Sequence, residues 1–586
     1  MYISNIYTSD IFGVQNNMAR IMIFSLAIVL GLLASSSSAA VVEHTFDVAN
    51  FAVTRLCQST TVAVVNNSLP GPTIHVHEGD TLVVHVNNKS PYNISIHWHG
   101  VFQLNSGWAD GPGYITQCPI RPGNSYTYRF NITRQEGTLW WHAHVSVLRA
   151  TVYGALLIQP KLGRNYPFRR PYREVPIILG EWWKRNPVDV DREALGTGSP
   201  FPAPDAYTIN GQPGHRYNCS SNEMFRLTVE QGRTYLLRII NAALNNQLFF
   251  KLAGHRFTVV AIDAAYTNPY ETDVLVLAPG QTIDVLITTN QAPGNYYMAA
   301  STYSTSAAPF NDNFTSAVLH YATAPVTATP QLPPLPNVTD TPTAHRFYTS
   351  LTGLTTSPFW SPPPREVDES MFVTVGVGAE ACGADMNCSG SPLGPRFRLA
   401  ANMNNVSFQF PTSRSMLEAF HFNINGTYTE DFPNRPPVEF NYTDEAVSRN
   451  FTALWVAPRG TKVKKLKYNA TVEVVLQNTA ILTTENHPIH FHGLNFHVLA
   501  QGFGNFNEGS DRRSFNLVNP QERNTIAVPD GGWAVIRFRA NNPGVWFVHC
   551  HLDVHLPWGL AMAFAIENGP TPSTSLPPPP SDLPRC

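Results

Sequence analysis

Apolar and polar residues alternate with a period of two through much of the chain, as in the stretch RPGNSYTYRFNIT that ends at Thr133. Such alternation, punctuated by Gly, Pro and Asn, predicts short antiparallel strands rather than helices. The pattern also repeats at a domain-sized period. Residues 74–102 read TIHVHEGDTLVVHVNNKSPYNISIHWHGVF from Thr73 onward, residues 225–250 read FRLTVEQGRTYLLRIINAALNNQLFF, and residues 472–499 read VEVVLQNTAILTTENHPIHFHGLNFHVL. Each gives a strand, a polar turn, a second strand, an Asn-containing loop and a third strand. The second half of each copy repeats too, in the segments that open at Arg121, Ala278 and Pro529. Each has a Gly turn, an alternating strand, a Gly-containing hairpin and an aromatic-rich strand. Three all-β units, sandwiches or barrels, follow from this spacing.

The units fall at residues 41–165, 166–325 and 365–586, with a Pro- and Thr-rich stretch, 326–364, expected to be an extended linker. A length of 586 residues agrees, since about 150 residues per domain predicts three or four domains. The tail Leu576–Cys586 carries four consecutive prolines and is expected to be irregular.

Composition narrows the function. Only 14% of residues are charged and the net charge is −2, with no basic run. That argues against nucleic-acid binding, which needs a phosphate-neutralising patch. Hydrophobic content of 43% and many aromatics argue against a disordered chain.

The first forty residues carry an address. Arg20 precedes an apolar run, Ile21–Leu33, and Ala34, the four serines Ser35–Ser38 and then Ala39 and Ala40 follow it. This is the order of a secretory signal peptide, with cleavage expected after Ala40. The run is short for a membrane span, though a signal anchor is the alternative. Met18 opens a more ordinary signal peptide, so residues 1–17 read as an upstream extension. Thirteen Asn-X-Ser/Thr sequons, at Asn66, Asn88, Asn93, Asn131, Asn218, Asn313, Asn337, Asn387, Asn405, Asn425, Asn441, Asn450 and Asn469, favour a secreted N-glycoprotein. Glycosylation and near-neutral charge fit a monomer. Seven cysteines leave one thiol that needs a reason in an oxidising compartment. Cys550 lies between His549 and His551 and is assigned to a metal; the other six can pair.

Of 20 histidines, ten fall in four compact clusters: His97-Trp98-His99, His142-Ala143-His144, His487 to His492 with His490 between, and His549-Cys550-His551 with His555. Residues i and i+2 of a strand share a face, so each His-X-His pair can present two imidazoles to one site. Eight histidines thus come in four pairs, two from domain 1 and two from domain 3, and the interface between those domains is where they can meet. Aligning the copies places Ile94, Ala143 and Leu148 of domain 1 over His487, Cys550 and His555 of domain 3. The second set is therefore extra to domain 3. Domain 2 has Ala299 and Ser301 at the matching pair and retains no cluster. Two His and one Cys make a blue-copper ligand set. Zinc accepts the same ligands, but it has no redox chemistry and no use for eight further imidazoles alongside. Cys550 faces one way and its neighbours His549 and His551 the other, so one strand joins the two sites. His75-Val76-His77 has no counterpart in domain 3 and reads as an ordinary strand pair.

At HWHG, WHAH, HPIHFHG and HCHLDVHLPWGLAMAF the sequence resembles the multicopper oxidases, and among them the plant laccases. The stretches Gly107–Pro112, Ile115–Ile120 and Asp582–Cys586 extend the resemblance over the whole mature chain. It implies three tandem cupredoxin-like Greek-key domains and four copper ions. His487, Cys550 and His555 would hold the type 1 copper, His97 and His490 the type 2, and His99, His142, His144, His492, His549 and His551 the type 3 pair. It also implies disulfides Cys57–Cys219 and Cys118–Cys586, which leaves Cys382 and Cys388 for a loop bridge.

Leu560 stands where ascorbate oxidases carry an axial Met, and a missing axial donor raises the copper potential. Asp110 and Asp553 are the carboxylates expected either to relay the protons that oxygen reduction consumes or to orient a His ligand from behind. Asn245 stands where fungal laccases carry an acid near the type 1 site, which leaves the acceptor of the phenolic proton open. The resemblance implies a secreted, wall-located oxidase of lignols, flavonoids or related phenols, with O2 as the co-substrate and no membrane association after signal cleavage. Three other readings are an ascorbate oxidase-like enzyme, a ferroxidase-like enzyme, and a non-catalytic wall glycoprotein on the same fold. Leu560 counts against the first, the lack of a clear carboxylate set beside the type 1 His against the second, and eleven intact ligands against the third.

Overall fold

The structure, a computed structural model, describes residues 39–586 except 218, 221–223, 307–309 and 447–453. The predicted signal segment through residue 38 and the sequons at Asn218 and Asn450 lie outside the described residues.

Alternation becomes burial where a strand has one wet face. In Ser125–Asn131, Tyr126, Tyr128 and Phe130 are buried while Ser125, Arg129 and Asn131 are exposed. Domain 1 packs two four-stranded sheets face to face. Phe46, Leu82 and Tyr128 from one sheet meet Trp98, Trp141 and Leu156 from the other in a single core. Domains 2 and 3 each pair a six-stranded with a five-stranded sheet. Ile94, Ala143 and Leu148 all sit in the apolar core of domain 1, while Cys550 and Leu560 sit in the core of domain 3.

The copies match more closely than alternation could reveal, because each domain contains the same two parallel pairings among its main strands rather than antiparallel ones alone. In domain 1, Val41–Arg55 runs parallel to Thr81–Asn88, and Ile74–His77 parallel to Tyr153–Gln159. In domain 2, Arg173–Trp182 pairs with Thr234–Asn241, and Arg226–Val229 with Thr315–Tyr321. In domain 3, Glu369–Ala381 pairs with Ala470–Asn478, and Val463–Leu466 with Ala561–Ile566. Period two fixes which face is apolar but says nothing of strand direction.

The segment 326–364 is not wholly extended, a correction to the sequence reading. Thr341–Ser350 is an α-helix with Asp340 as its N-cap, the Asp340 side chain accepting from the Thr343 N–H. Its Ala344, Phe347 and Tyr348, followed by Leu351, join the core of domain 2. Apolar spacing at i, i+3, i+4 and i+7 is why this stretch coils.

Three disulfides are present, Cys57–Cys219, Cys118–Cys586 and Cys382–Cys388, and Cys550 is the free, buried cysteine. The irregular tail returns to domain 1, where Trp108 Nε1 donates to the Pro577 carbonyl and Arg121 to that of Cys586. Among the described residues no helix is long and apolar enough to cross a membrane.

Candidate metal centre

Strand pairing assembles the histidines. In domain 1, Ile96–His99 lies antiparallel to Gly137–Ala143, with His97 opposite His142. In domain 3, His487–Phe491 lies antiparallel to Gly544–Cys550, with His490 opposite His549. Both sheets turn these faces toward one another. His97 Nε2 lies 3.4 Å from His490 Nε2, and His144 Nε2 lies 3.4 Å from His549 Nε2.

The six histidines expected at the type 3 pair divide into two triads, His99/His142/His551 and His144/His492/His549. His97 and His490 gather with His99 on a third side. In each group the ring nitrogens lie within 4.8 Å of one another. Two nitrogens bound to one ion at about 2.0–2.1 Å each stand about 3–4 Å apart, so these spacings suit a shared metal.

Tautomers follow from the partners, because a carbonyl can only accept. Nδ1–H of His97 donates to the Asp110 carbonyl at 2.7 Å, and that of His142 to Ala143 at 2.8 Å. His490 donates to Asn524 at 3.0 Å, and His549 to Cys550 at 2.9 Å. Their Nε2 lone pairs are left pointing into the shared space. Nε2 of His142 and Nδ1 of both His99 and His551 are buried with no partner. Burial holds the pKa values of His99, His142, His144, His490, His492 and His551 well below the ordinary range, and that of His549 down to about 3. Neutral imidazoles are the metal-binding form. A buried set of lone pairs with no hydrogen-bond donor to meet them is chemically complete only with cations between them.

Asp110 sits behind this cluster, fully buried. Its Oδ2 accepts from His492 Nδ1 at 2.9 Å, while its Oδ1 has no hydrogen-bond partner. One residue thus orients two rings, His97 through its carbonyl and His492 through its carboxylate. The following Gly111 has φ +102°, and a Cβ there would meet the Ile96 carbonyl, so only glycine admits the turn that brings Asp110 in.

Asp553 does not touch an imidazole. It accepts from Arg149 at 3.2 Å, and the same Arg149 nitrogen donates to the His551 carbonyl at 3.1 Å. Burial raises the pKa of Asp553. Asp191 of domain 2 lies close by, pushed up to about 6 by burial and by the Asp553 charge.

The second centre is the trio His487, Cys550 and His555. Cys550 Sγ lies 3.3 Å from His555 Nδ1 and 3.7 Å from His487 Nδ1. Leu560 is fully buried beside it and offers only its carbonyl, which accepts from the Cys550 N–H at 3.0 Å. Burial and the neighbouring His555 lower the pKa of His487 to about 3. Burial works the same way on His555, but Glu485 and Cys550 outweigh it and hold that pKa up at about 10.

Glu485 escaped the sequence reading. Its Oε1 lies 3.0 Å from His555 Nε2. Its position two residues before His487 on an extended segment was the available signal. It lines a cavity of about 390 Å³ together with Phe201, Asn245, Leu552, His555 and Trp558. Glu485 is the one carboxylate among the described residues lining that cavity. Asn245 is there as well, its Oδ1 accepting from the Val554 N–H at 3.2 Å.

Domain 2 supplies none of the eleven residues above, yet it closes the cluster. Gly280 packs against the rings of His99 and His551, and Gln281 donates to the Thr525 carbonyl at 3.0 Å. Asn524 and Thr525 in turn contact His99 Nε2 at 3.2 and 3.1 Å. None of these residues carries a motif.

Comparison with known proteins agrees with this geometry. Three family models described as multicopper oxidase match residues 47–163, 173–324 and 431–570. The chain is 56% identical to Laccase-7 of Arabidopsis thaliana over 565 residues, covering 96% of this chain and 98% of the relative. It is 54% identical to Laccase-24 of Oryza sativa subsp. japonica, covering 95% and 98%. Among solved structures, the laccase from Botrytis aclada superposes with a TM-score of 0.71 at 26% identity, covering 93% of this chain and 90% of that one.

Proposed function

The chain belongs to the multicopper oxidases and is a laccase of the plant type, and from that premise we propose how its residues divide the work. Its family binds copper and couples the oxidation of phenols to the reduction of O2. In our reading four coppers are held: one by His487, Cys550 and His555, one by His97 and His490, and a pair by the triads His99/His142/His551 and His144/His492/His549. Bound copper supplies one-electron redox chemistry, so that four electrons from four phenols balance the four electrons and four protons that convert one O2 to two waters.

The residues of the chain do the rest. The cleft of about 390 Å³ receives an aromatic ring between Phe201, Leu552 and Trp558, with the His555 edge as its floor. A phenol that gives up an electron must also give up its hydroxyl proton. Glu485, 3.0 Å from His555 Nε2, accepts that proton, which fills the role left open by Asn245. Asp110 holds His97 and His492 in place, and its Oδ1, 3.4 Å from His97 Nδ1, is placed to pass a proton on for oxygen reduction. Asp553 serves as the second proton-holding group, connected to the cluster through Arg149.

The observation that carries this reading is Cys550 itself. Its thiol faces one centre while the histidines on either side of it face the other, so a single backbone links where electrons enter and where oxygen is reduced. The largely apolar cleft with a single carboxylate suits an aryl substrate better than ferrous iron, which needs several anionic oxygens.

We further read the protein as an exported, N-glycosylated monomer of the plant cell wall, acting on lignols, flavonoids or related phenols. The apolar run ending at Leu33, the sequons and three disulfides support export, since disulfides persist in oxidising compartments. The test is oxygen uptake by the copper-loaded protein with a methoxyphenol. The expected result is four phenols consumed per O2 with no peroxide. Peroxide as product, or no uptake, overturns the reading.

A further inference from the structure

The phenol cleft lies between domains 2 and 3, and its two sides are unequally held. Its volume of about 390 Å³ is at the small end of the range of about 300–1,000 Å³ for ligand pockets, so small shifts of either side change what fits.

The domain 2 side is stiff. Residues 199–204 read Ser-Pro-Phe-Pro-Ala-Pro, and Pro200 to Pro204 all line the cleft. Proline at every second position fixes φ along this wall. Trp183 Nε1 donates to the Pro202 carbonyl at 3.2 Å and Asn311 Nδ2 to that of Pro204 at 2.9 Å, while the Phe201 ring stands edge-on to Trp183 at 5.4 Å between centroids. Such a wall shifts as one piece, and its joint is at its start. The helix Pro187–Thr197 stops there at Gly198, which has φ +73°.

What seats that joint comes from domain 3. Strands Glu369–Ala381 and Phe397–Met403 pair up to Ala381 and Phe397, and residues 382–396 connect them. Within this connection Cys388 is the one buried residue. Apolar burial therefore holds almost none of it, which places it at the low end of local stability. The Cys382–Cys388 bridge supplies the constraint that packing does not. The bridged loop presents Gly390, whose N–H donates to the Thr197 carbonyl at 3.0 Å, a helix-end carbonyl with no partner inside the helix. The approach is close from both sides. A Cβ on Gly390 would meet Ser199 Cβ at 2.9 Å, and one on Gly198 would lie 3.6 Å from Cys388 Cα. Two residues beyond Gly390, Pro392 lines the cleft itself. One loop thus seats the joint of one wall and forms part of the other.

We propose that the Cys382–Cys388 loop sets the width of the phenol cleft, through Gly390 on Thr197 and Pro392 at the lip, and so makes the enzyme select monomeric phenols over their coupled dimers. This rests on the phenol-oxidising reading of the cleft given above. Phenoxyl radicals couple into dimers that are again phenols, so the reacting group does not separate product from substrate and shape must. Cys382, Cys388 and Gly390 do not line the cleft and act as positioning residues.

The test compares steady-state oxidation of a methoxyphenol and of its ortho-linked biaryl dimer by the copper-loaded full-length protein and its variants. The unaltered protein should favour the monomer in kcat/KM. In Cys382→Ser/Cys388→Ser that preference should fall about tenfold, carried by KM, with monomer kcat and the blue absorption kept. Gly390→Ala keeps the bridge but pushes the loop off Ser199, and its preference should fall severalfold. Gly394→Ala lies in the same loop where a Cβ meets nothing within 4 Å, and it should leave the preference as it is. An unchanged preference in the bridge variant, an equal loss for both phenols, or the same shift in Gly394→Ala would each overturn the proposal. No oxidation of either phenol by the unaltered protein would instead overturn the oxidase reading on which it rests, and the proposal with it.

Discussion

Replacing Gly280 with alanine asks whether domain 2, which contributes no metal-binding side chain, shapes the histidine cluster. Gly280 has φ +93°, and a Cβ there would lie 3.0 Å from His99 Cε1 and 3.1 Å from His551 Cδ2. Those two rings belong to one triad, and the third, His142, stands within 4.8 Å of them by its ligand nitrogen. Two costs follow. The positive φ is worth roughly 1–2 kcal/mol against alanine. The added methyl also forces the rings back by a few tenths of an ångström. They have nowhere easy to go, because Trp140 packs on His99 and on His142 at 5.2 and 4.3 Å between centroids. Gly232 separates the two costs. It too has positive φ, +77°, but a Cβ there meets nothing within 4 Å. Gly232→Ala should lower the melting temperature by about 2–4 °C per kcal/mol and leave copper content and turnover alone. Gly280→Ala should show a similar stability loss together with reduced copper per chain and a fall of tenfold to about a hundredfold in phenol-dependent oxygen uptake. The blue absorption of the Cys-bound copper should survive, since the atoms nearest the added methyl belong to His99 and His551 and not to the His487, Cys550 and His555 trio. Full copper and full turnover in Gly280→Ala would refute the reasoning, as would an equal loss of activity in Gly232→Ala.

Three further outcomes are expected. Glu485→Gln removes the proton acceptor while keeping the shape of the cleft, and kcat/KM for phenols should fall by about 10²-fold with the blue absorption retained; steady-state kinetics beside a visible spectrum checks this. Asp191 has its folded pKa raised to about 6 by burial and by Asp553, above the unfolded value near 3.8, so its ionisation costs stability as pH rises through that window. Asp191→Asn should therefore raise stability by up to about 3 kcal/mol above pH 7 and change little below pH 4, as read by denaturant melts at the two pH values. Asn88 is 1% exposed and its Nδ2 donates to the Tyr92 and Ile120 carbonyls at 2.7 and 2.8 Å, so mass spectrometry of glycopeptides should find this sequon empty while exposed Asn93, Asn387 and Asn441 carry glycan.

What was legible in the sequence was what repeats or clusters. His-X-His pairs on strands announce a shared face, and their placement at equivalent points of the copies announces the interface between domains 1 and 3. The extra His487, Cys550 and His555 stood out because Ile94, Ala143 and Leu148 occupy the same places in domain 1. Asp110 was visible through its resemblance, but its double use, carbonyl to His97 and carboxylate to His492, depends on the turn at Gly111. Glu485, Gly280, Gln281 and Thr525 were not found, since each acts through a distance set by tertiary packing. Nor did alternation reveal the parallel pairings, which depend on chain direction. The helix Thr341–Ser350 was a different kind of miss. Its N-cap Asp340, Pro342 in the first turn and its apolar spacing were all present, and the surrounding prolines masked them.

The central claim, that this chain holds four coppers at these eleven ligands, is tested most directly by a crystal structure of the copper-loaded protein with anomalous data at the copper edge. One peak is expected within bonding distance of His487, Cys550 and His555, and three peaks enclosed by the eight histidines of domains 1 and 3. A missing peak at Cys550, fewer than three in the histidine cluster, or a scattering edge belonging to zinc would contradict it.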